Sequence, residues 1–171
     1  MIGNENIVLR AVEPEDLDFL YQIENDVDMW IYSARKEPYS RYAIRRYIES
    51  CDQSVFERGQ LRFMIAIDKI GTTIGTIDLF DFDYNNRRSE VGIFIHPSYR
   101  GRGYATEAIG LICRYTKSFL GLHQLYSLVA SDNTPSLRAF EKAGFSGGVT
   151  LKDWVVYDGI FHDIILLQKR L

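Results

Sequence analysis

The sequence predicts a mixed α/β fold: one sheet, mostly antiparallel, flanked by helices. Two observations carry this. Three apolar strand-like runs follow one another between Arg62 and His96 with only short polar turns between them, which reads as an antiparallel meander. A strand, a long helix and another strand then occupy Ser89 to Val129, which reads as one parallel crossover. With 171 residues and no linker, repeat or low-complexity stretch, the chain is expected to form a single domain over residues 1–171.

The elements follow in order. Ile7 to Ala11 is the first expected strand. A helix should begin at Glu13-Pro14, because proline suits the first helical position and Glu15 and Asp16 suit the positive end of the helix dipole. Leu17, Leu20 and Ile23 form its apolar stripe. Asn25 to Pro38 reads as irregular. A second helix is expected from about Arg41 to Phe56, with Ile44, Tyr47, Ile48 and Cys51 on one face. Strands are expected at Arg62 to Asp68, Thr72 to Phe80 and Ser89 to His96, with Gly71 and the polar stretch Asp81 to Arg87 as turns. The third of these, Ser-Glu-Val-Gly-Ile-Phe-Ile-His, reads as buried on both faces for most of its length, and Pro97 ends it. Gly103 opens a long helix with apolar residues from Ala105 to Leu120 at helical spacing, and Gly121 stops it. After a strand at Leu125 to Val129, Asp132 or Asn133 caps a helix from Thr134 to Ala143, closed by Gly144. Val149 to Tyr157 and Ile160 to Leu167 flank Asp158-Gly159, a type I′ turn signal, so the chain ends in a hairpin.

Composition narrows the function. The formal net charge of −3 argues against nucleic acid as a partner, since phosphate binding needs a basic surface. No apolar stretch approaches the roughly 18 residues of a membrane span. No signal peptide is visible, and Cys51 and Cys113 form neither a CxxC pair nor a disulfide framework, so a cytoplasmic protein is expected. His96, His123 and His162 lack metal-ligand spacing, and no metal is expected. His96 reads as structural and Cys113 as a buried apolar residue.

The segment Arg100-Gly101-Arg102-Gly103-Tyr104-Ala105-Thr106 carries the sharpest chemistry. It lies between the strand ending at His96 and the long helix. Glycines let backbone approach a ligand, consecutive N–H groups at a helix start attract anions, and the two arginines add charge where a pyrophosphate would lie. A Gly-rich turn with two solvated arginines has the same sequence. The Walker pattern and the dinucleotide fingerprint are absent, position 106 being Thr.

This segment resembles the GNAT superfamily of N-acetyltransferases, whose motif of Arg or Gln, two residues, Gly, one residue and Gly or Ala is met by Arg100, Gly103 and Ala105. A second block, Ser131 to Phe145, is similar to the family's Asn-containing helix ending in Gly-Phe. Arg87-Arg88-Ser89-Glu90 resembles the branch of spermidine and ribosomal-protein N-terminal acetyltransferases. The resemblance implies a splayed sheet with acetyl-CoA at the split. It implies that Ile93, Phe94 and Ile95 bond the pantetheine arm, that residues Arg100, Gly101, Arg102, Gly103, Tyr104, Ala105 and Thr106 hold the pyrophosphate, and that Asn133 and Ser136 also contact the cofactor. The acceptor is expected to be a primary amine, on a polyamine or other small molecule, or on a protein or peptide N-terminus. A non-catalytic CoA-binding sensor domain is the rival from another class. Relatives often form dimers or larger rings, so a homo-oligomer is expected as an option.

Amine acetylation needs a neutral nucleophile, and a primary amine with a pKa of about 10 must lose a proton first. Glu90 is the first candidate base, being a carboxylate on an apolar strand; an ion pair with Arg87 or Arg88 explains it equally well. Asp78, on the neighbouring strand, is the second. Glu24, Asp26, Asp28, Asp81 and Asp83 are expected either to hold a polycation or to form a solvated face. Many relatives carry a Tyr near the thioester sulfur; Phe140 takes that position here and has no hydroxyl, so the leaving thiolate's proton must come from the amine, water or a tyrosine such as Tyr104, unless Phe140 is simply core. Trp30 and Tyr32 are candidates for an acceptor pocket or for core packing.

Overall fold

The computed structural model describes residues 2–30, 37–67 and 71–171. Eight strands form one sheet in the order β1-β2-β3-β4-β5-β6-β8-β7. They are β1 (Ile2–Gly3), β2 (Ile7–Arg10), β3 (Leu61–Ile67), β4 (Thr72–Asp83), β5 (Arg88–Ile95), β6 (Gln124–Ala130), β7 (Ser146–Tyr157) and β8 (Ile160–Arg170). Every neighbouring pair is antiparallel except β5 and β6, as the meander and the single crossover require. The helices are α1 (Leu17–Glu24), α2 (Val27–Trp30), α3 (Arg41–Glu49), α4 (Val55–Arg58), α5 (Tyr104–Phe119) and α6 (Thr134–Lys142).

Consecutive strand residues face opposite sides of a sheet, so β3 separates the two cores. Ile65 belongs to the larger one, with Ile77, Leu79 and Val91 of the sheet and Ala108, Ile109 and Ile112 of α5. Met64 belongs to the smaller one, with Leu20 of α1 and Ile44 of α3. Thus α5 covers one face, while α1 and α3 cover part of the other.

Several boundaries differ from the sequence reading. The helix expected from Arg41 to Phe56 stops at Glu49 and passes through a 3-10 turn, Ser50–Asp52. Ser54 and Glu57 then form a capping box that starts α4, and a residue that caps a new helix cannot continue the old one. The stretch from Asn25 to Pro38 contains α2, whose first turn is held by the Asp26 carboxylate accepting from the Asp28 N–H. Its residues Ile31 to Lys36, Tyr32 among them, lie outside the described residues, as does Asp68 at the expected end of β3. Strand β4 runs past Phe80 to Asp83, because a bulge lets pairing with β5 resume at Asp83 and Arg88. Strand β1 is too short for any periodicity to reveal. Finally, β5 is not buried on both faces: Ser89, Val91 and Ile95 are buried, whereas Glu90, Gly92 and Phe94 are only half-buried. Helices α1 and α3 do not reach over them.

Candidate functional site

Strand β5 pairs with β4 along its length, from Gly75 opposite Ile95 to Phe80 opposite Glu90. With β6 it pairs at only three positions, Arg88 with Gln124, Ser89 with Leu125 and Glu90 with Tyr126. Beyond these, β6 continues with β8 alone, and the sheet opens into a V. The His96 N–H donates to the Ile74 carbonyl at 2.8 Å. Antiparallel alternation then directs the backbone groups of Phe94, Gly92 and Glu90 toward β4, and those of Ile93 and Ile95 into the opening. Ile93 and Ile95 thus lie with their backbone groups on the open edge, whereas the Phe94 backbone faces β4.

The residues from Arg100 to Thr106 stand at the wide end of the V. Gly101 and Gly103 take φ of +75° and +87°, the left-handed region, and a Cβ on either would meet no atom within 4 Å. Conformation rather than space demands glycine here. Gly103 is the N-cap of the sixteen-residue α5 and supplies no side-chain cap, so the first N–H groups of that helix, from Tyr104 to Thr106, are presented uncapped. Arg100 is anchored through Nε to the Ile95 carbonyl at 2.9 Å, and Arg102 donates to the Ser98 carbonyl at 3.2 Å. The Asn133 side chain caps α6 by accepting from the Ser136 N–H at 3.3 Å. That leaves its NH2 end as the part available to a ligand.

Glu90 sits at the narrow end. Its carboxylate faces the Leu128 backbone N–H, a β6 group freed by the splay, which favours its charged form. Burial, with a smaller push from the Asp81 charge, raises its pKa to about 7 against the pull of that N–H. Among the described residues Arg88 pairs instead with Asp83, at 3.1 Å.

Asp78 is differently placed. It is buried and accepts from Arg62 Nε at 2.6 Å, and the same guanidinium bonds Glu24 at 2.6 Å. Burial raises the Asp78 carboxyl, and Arg62 and Gln60 oppose the rise; the Arg62 guanidinium stays charged between two carboxylates. The Arg62 guanidinium also lies over the Tyr47 ring, 5.3 Å from its centroid. A carboxylate clamped in this way is a poor base. Sequence reasoning missed Arg62, although one charge within the apolar run Leu61–Ile67 was the available signal.

The remaining candidates also find places. Of the acidic set, Glu24 binds Arg62, Asp26 caps α2, Asp83 holds Asn86 and Arg88, and Asp81 accepts from the Tyr126 hydroxyl. Phe140 is 1% exposed and meets the Phe145 ring edge-on at 5.0 Å, a core position. Tyr104 packs partly buried on the main core. His96 Nδ1 accepts from the Ser98 N–H, a capping role, and Trp30 Nε1 donates to the Glu24 carbonyl. Cys113 is buried, and burial pushes its thiol up, away from nucleophilic use. A cleft of about 400 Å³ is lined by Phe56 of α4, Gly59, and Phe82 and Tyr84 at the end of β4.

Comparison with known proteins agrees with this geometry. Residues 6–146 match a family model described as an acetyltransferase (GNAT) domain. The chain is 30% identical over 146 residues to a spermidine N(1)-acetyltransferase of Escherichia coli K12, covering 85% of this chain and 76% of that one. It is 27% identical to a putative ribosomal N-acetyltransferase of Bacillus subtilis, covering 98% and 93%. The crystal structure of a Vibrio cholerae spermidine N-acetyltransferase in complex with CoA and spermine superposes with a TM-score of 0.85 at 25% identity, covering 98% of this chain and 96% of that one.

Proposed function

This chain belongs to the GNAT acetyltransferase family and is an acetyl-CoA-dependent N-acetyltransferase, and on that premise we propose that it acetylates a primary amine of a polyamine or other small amine at the β5–β6 opening, with Glu90 as the base. The observation that carries this is the opening itself. An unpaired strand edge at Ile93 and Ile95 runs from the uncapped start of α5 at one end to a half-buried carboxylate at the other.

The residues present fit acetyl-CoA. Arg100, Gly101, Arg102 and Gly103, with the first N–H groups of α5 from Tyr104, Ala105 and Thr106, hold the pyrophosphate. Ile93 and Ile95 bond the extended arm through their backbone, as an added strand would be bonded, and Phe94 lies beside it. Asn133 donates from its NH2 end, next to Ser136. Bound there, acetyl-CoA supplies an acetyl group activated as a thioester.

Glu90 accepts the proton that the ammonium must lose. A carboxylate with a pKa of about 7 is ionised in half the molecules at neutrality and is basic enough to compete for that proton. Asp78 is left out of this role because Arg62 holds it. Phe140 is left out of proton transfer because it is buried and has no hydroxyl; a thiol pKa of about 8.5 makes the thiolate a tolerable leaving group near neutrality. The likeness to spermidine acetyltransferases supports a polyamine acceptor. The likeness to the ribosomal enzyme keeps a protein N-terminus as the second reading.

The test is thiol release from acetyl-CoA with spermidine, spermine, simple monoamines and short peptides with free N-termini. Release with the polyamines and none with the peptides is expected, and Glu90→Gln should lower the rate about 10²- to 10⁴-fold, most strongly at the lower pH values. Tight CoA binding without release for any acceptor would sink the catalytic reading, and an unchanged pH–rate profile would remove Glu90 from the role.

A further inference from the structure

Glu90 does not stand alone at the narrow end of the opening. Glu90 and Tyr126 form the last pair before β5 and β6 part, and directly opposed residues of paired strands project on the same face. The Tyr126 hydroxyl donates to an Asp81 carboxylate oxygen. On sequence alone Asp81 groups with the surrounding acids, and Tyr126 carries no signal.

Asp81 reaches this position by a specific backbone device. Between the pairs Phe80–Glu90 and Asp83–Arg88, two residues of β4, Asp81 and Phe82, stand opposite Ser89 alone. In a regular strand Asp81 would share the face of Leu79, which is core. The bulge redirects it, with φ at +49°, a conformation that costs a non-glycine residue energy. Ser89 fixes the bulge from within: fully buried, its hydroxyl donates to the Phe80 carbonyl at 2.8 Å. The other charges nearby are already committed. Arg88 pairs with Asp83 and Arg62 with Asp78, while the Leu128 N–H serves Glu90.

We propose that Tyr126, held by Asp81, is the group that orients the acceptor: its phenolic oxygen accepts a hydrogen bond from the incoming ammonium and turns the nitrogen toward Glu90. The inference rests on the placement of the amine at this opening given above and adds the group that selects it. Because the Tyr126 hydroxyl donates its proton's hydrogen bond to Asp81, it offers only lone pairs to the acceptor. It therefore favours a group that carries N–H donors, a primary ammonium above all. The proton balance is simple. Two protons leave the nitrogen: the first passes from the ammonium to the Glu90 carboxylate and returns to solvent after turnover, the second leaves as the amide forms and ends on the departing CoA thiolate, and Tyr126 keeps its own throughout. The Asp81 charge has a second effect, since it helps to hold the Glu90 pKa up.

The experiment is titration of spermidine into the CoA-loaded protein, together with steady-state kinetics. Tyr126→Phe keeps the ring and removes only the oxygen. It should weaken spermidine binding and lower kcat/KM for the amine about 10- to 100-fold, the usual span for a hydrogen bond to a charged group, with KM for acetyl-CoA unchanged. Asp81→Asn should shift the acid limb of the pH–rate profile to lower pH, because a negative neighbour of Glu90 is lost. Spermidine binding that is unchanged in Tyr126→Phe, or absent from the wild type, overturns the proposal. Loss of rate in Glu90→Gln is read separately, so the base and the orienting group stand or fall independently.

Discussion

The two flanks of β5 are built for opposite purposes, and each carries one carboxylate. On the β4 flank the ladder is continuous, and Asp78, opposite Gly92, is clamped by Arg62. On the β6 flank the ladder ends after three pairs, and Glu90 is met by one backbone N–H and no cation among the described residues. The same residue class, on adjacent strands of one sheet face, is a structural strut in one place and a titratable group in the other. Partners decide the role, not the residue type. A buried acid with a guanidinium contributes to holding α1 on the sheet through Glu24; a half-buried acid without one is free to exchange a proton.

The clamped flank gives the largest expected effect on stability. Arg62→Met removes the cation from between Asp78 and Glu24 and leaves a buried carboxylate uncompensated. We expect a loss of about 3–5 kcal/mol, read by urea denaturation. Adding Asp78→Leu should recover most of it, because the unpaired charge is then gone too. If the single variant were as stable as the wild type, the ion triad would not be the strut described here.

Next comes Gly75, opposite Ile95 on the same flank. The β3–β4 register shifts between Ile65 and Ala66, leaving Ile74 of β4 without a partner on β3, and a Cβ on the adjacent Gly75 would lie 2.1 Å from the Phe94 carbonyl oxygen. A backbone atom cannot swing aside as a side chain can. Gly75→Ala should cost about 1–3 kcal/mol and lower the melting temperature accordingly. It should also weaken CoA binding, because β5 must shift to relieve the clash and the edge at Ile93 and Ile95 shifts with it. A stable variant with normal CoA affinity would mean that the two flanks are mechanically independent.

This contrast also explains what the sequence disclosed. The open flank is written in local signals: Gly101 and Gly103 at a strand-to-helix turn, Asn133 at a helix start, the Asp158-Gly159 turn. Each acts within a few residues, where backbone sterics and capping leave a direct trace. The carboxylates were visible as charges on apolar strands, but their difference was not. Asp78 meets Arg62 sixteen positions away and Glu24 meets it across thirty-eight, so the clamp depends on register. Glu90 depends on Leu128, whose N–H is free only because the sheet splays. The β4 bulge at Asp81 has no signature in an otherwise alternating run, so Asp81 looked like turn and Tyr126 like ordinary strand. Phe140 reads alike as a missing acid or as core until its contact with Phe145 is known.

The smallest expected effect is the sharpest test of the open flank. The Glu90 pKa is raised from 4.5 to about 7 on folding, with burial the main cause. The fold therefore favours the protonated acid. Its contribution to stability is fully present below about 4.5 and is lost as pH rises through about 7. Glu90→Gln has no charge to desolvate, so it should melt above the wild type at pH 8, and the margin should shrink toward pH 5. Because Glu90 is only half-buried, solvent screens part of the penalty, and a shift of a few degrees at most is expected for a domain of this size. Asp78→Asn should behave in the opposite sense at pH 8, since it strips Arg62 of one of its two carboxylate partners. A Glu90→Gln margin that does not change between pH 5 and pH 8 would mean that Glu90 is held as firmly as Asp78, and that the difference between the two flanks lies only in their backbones.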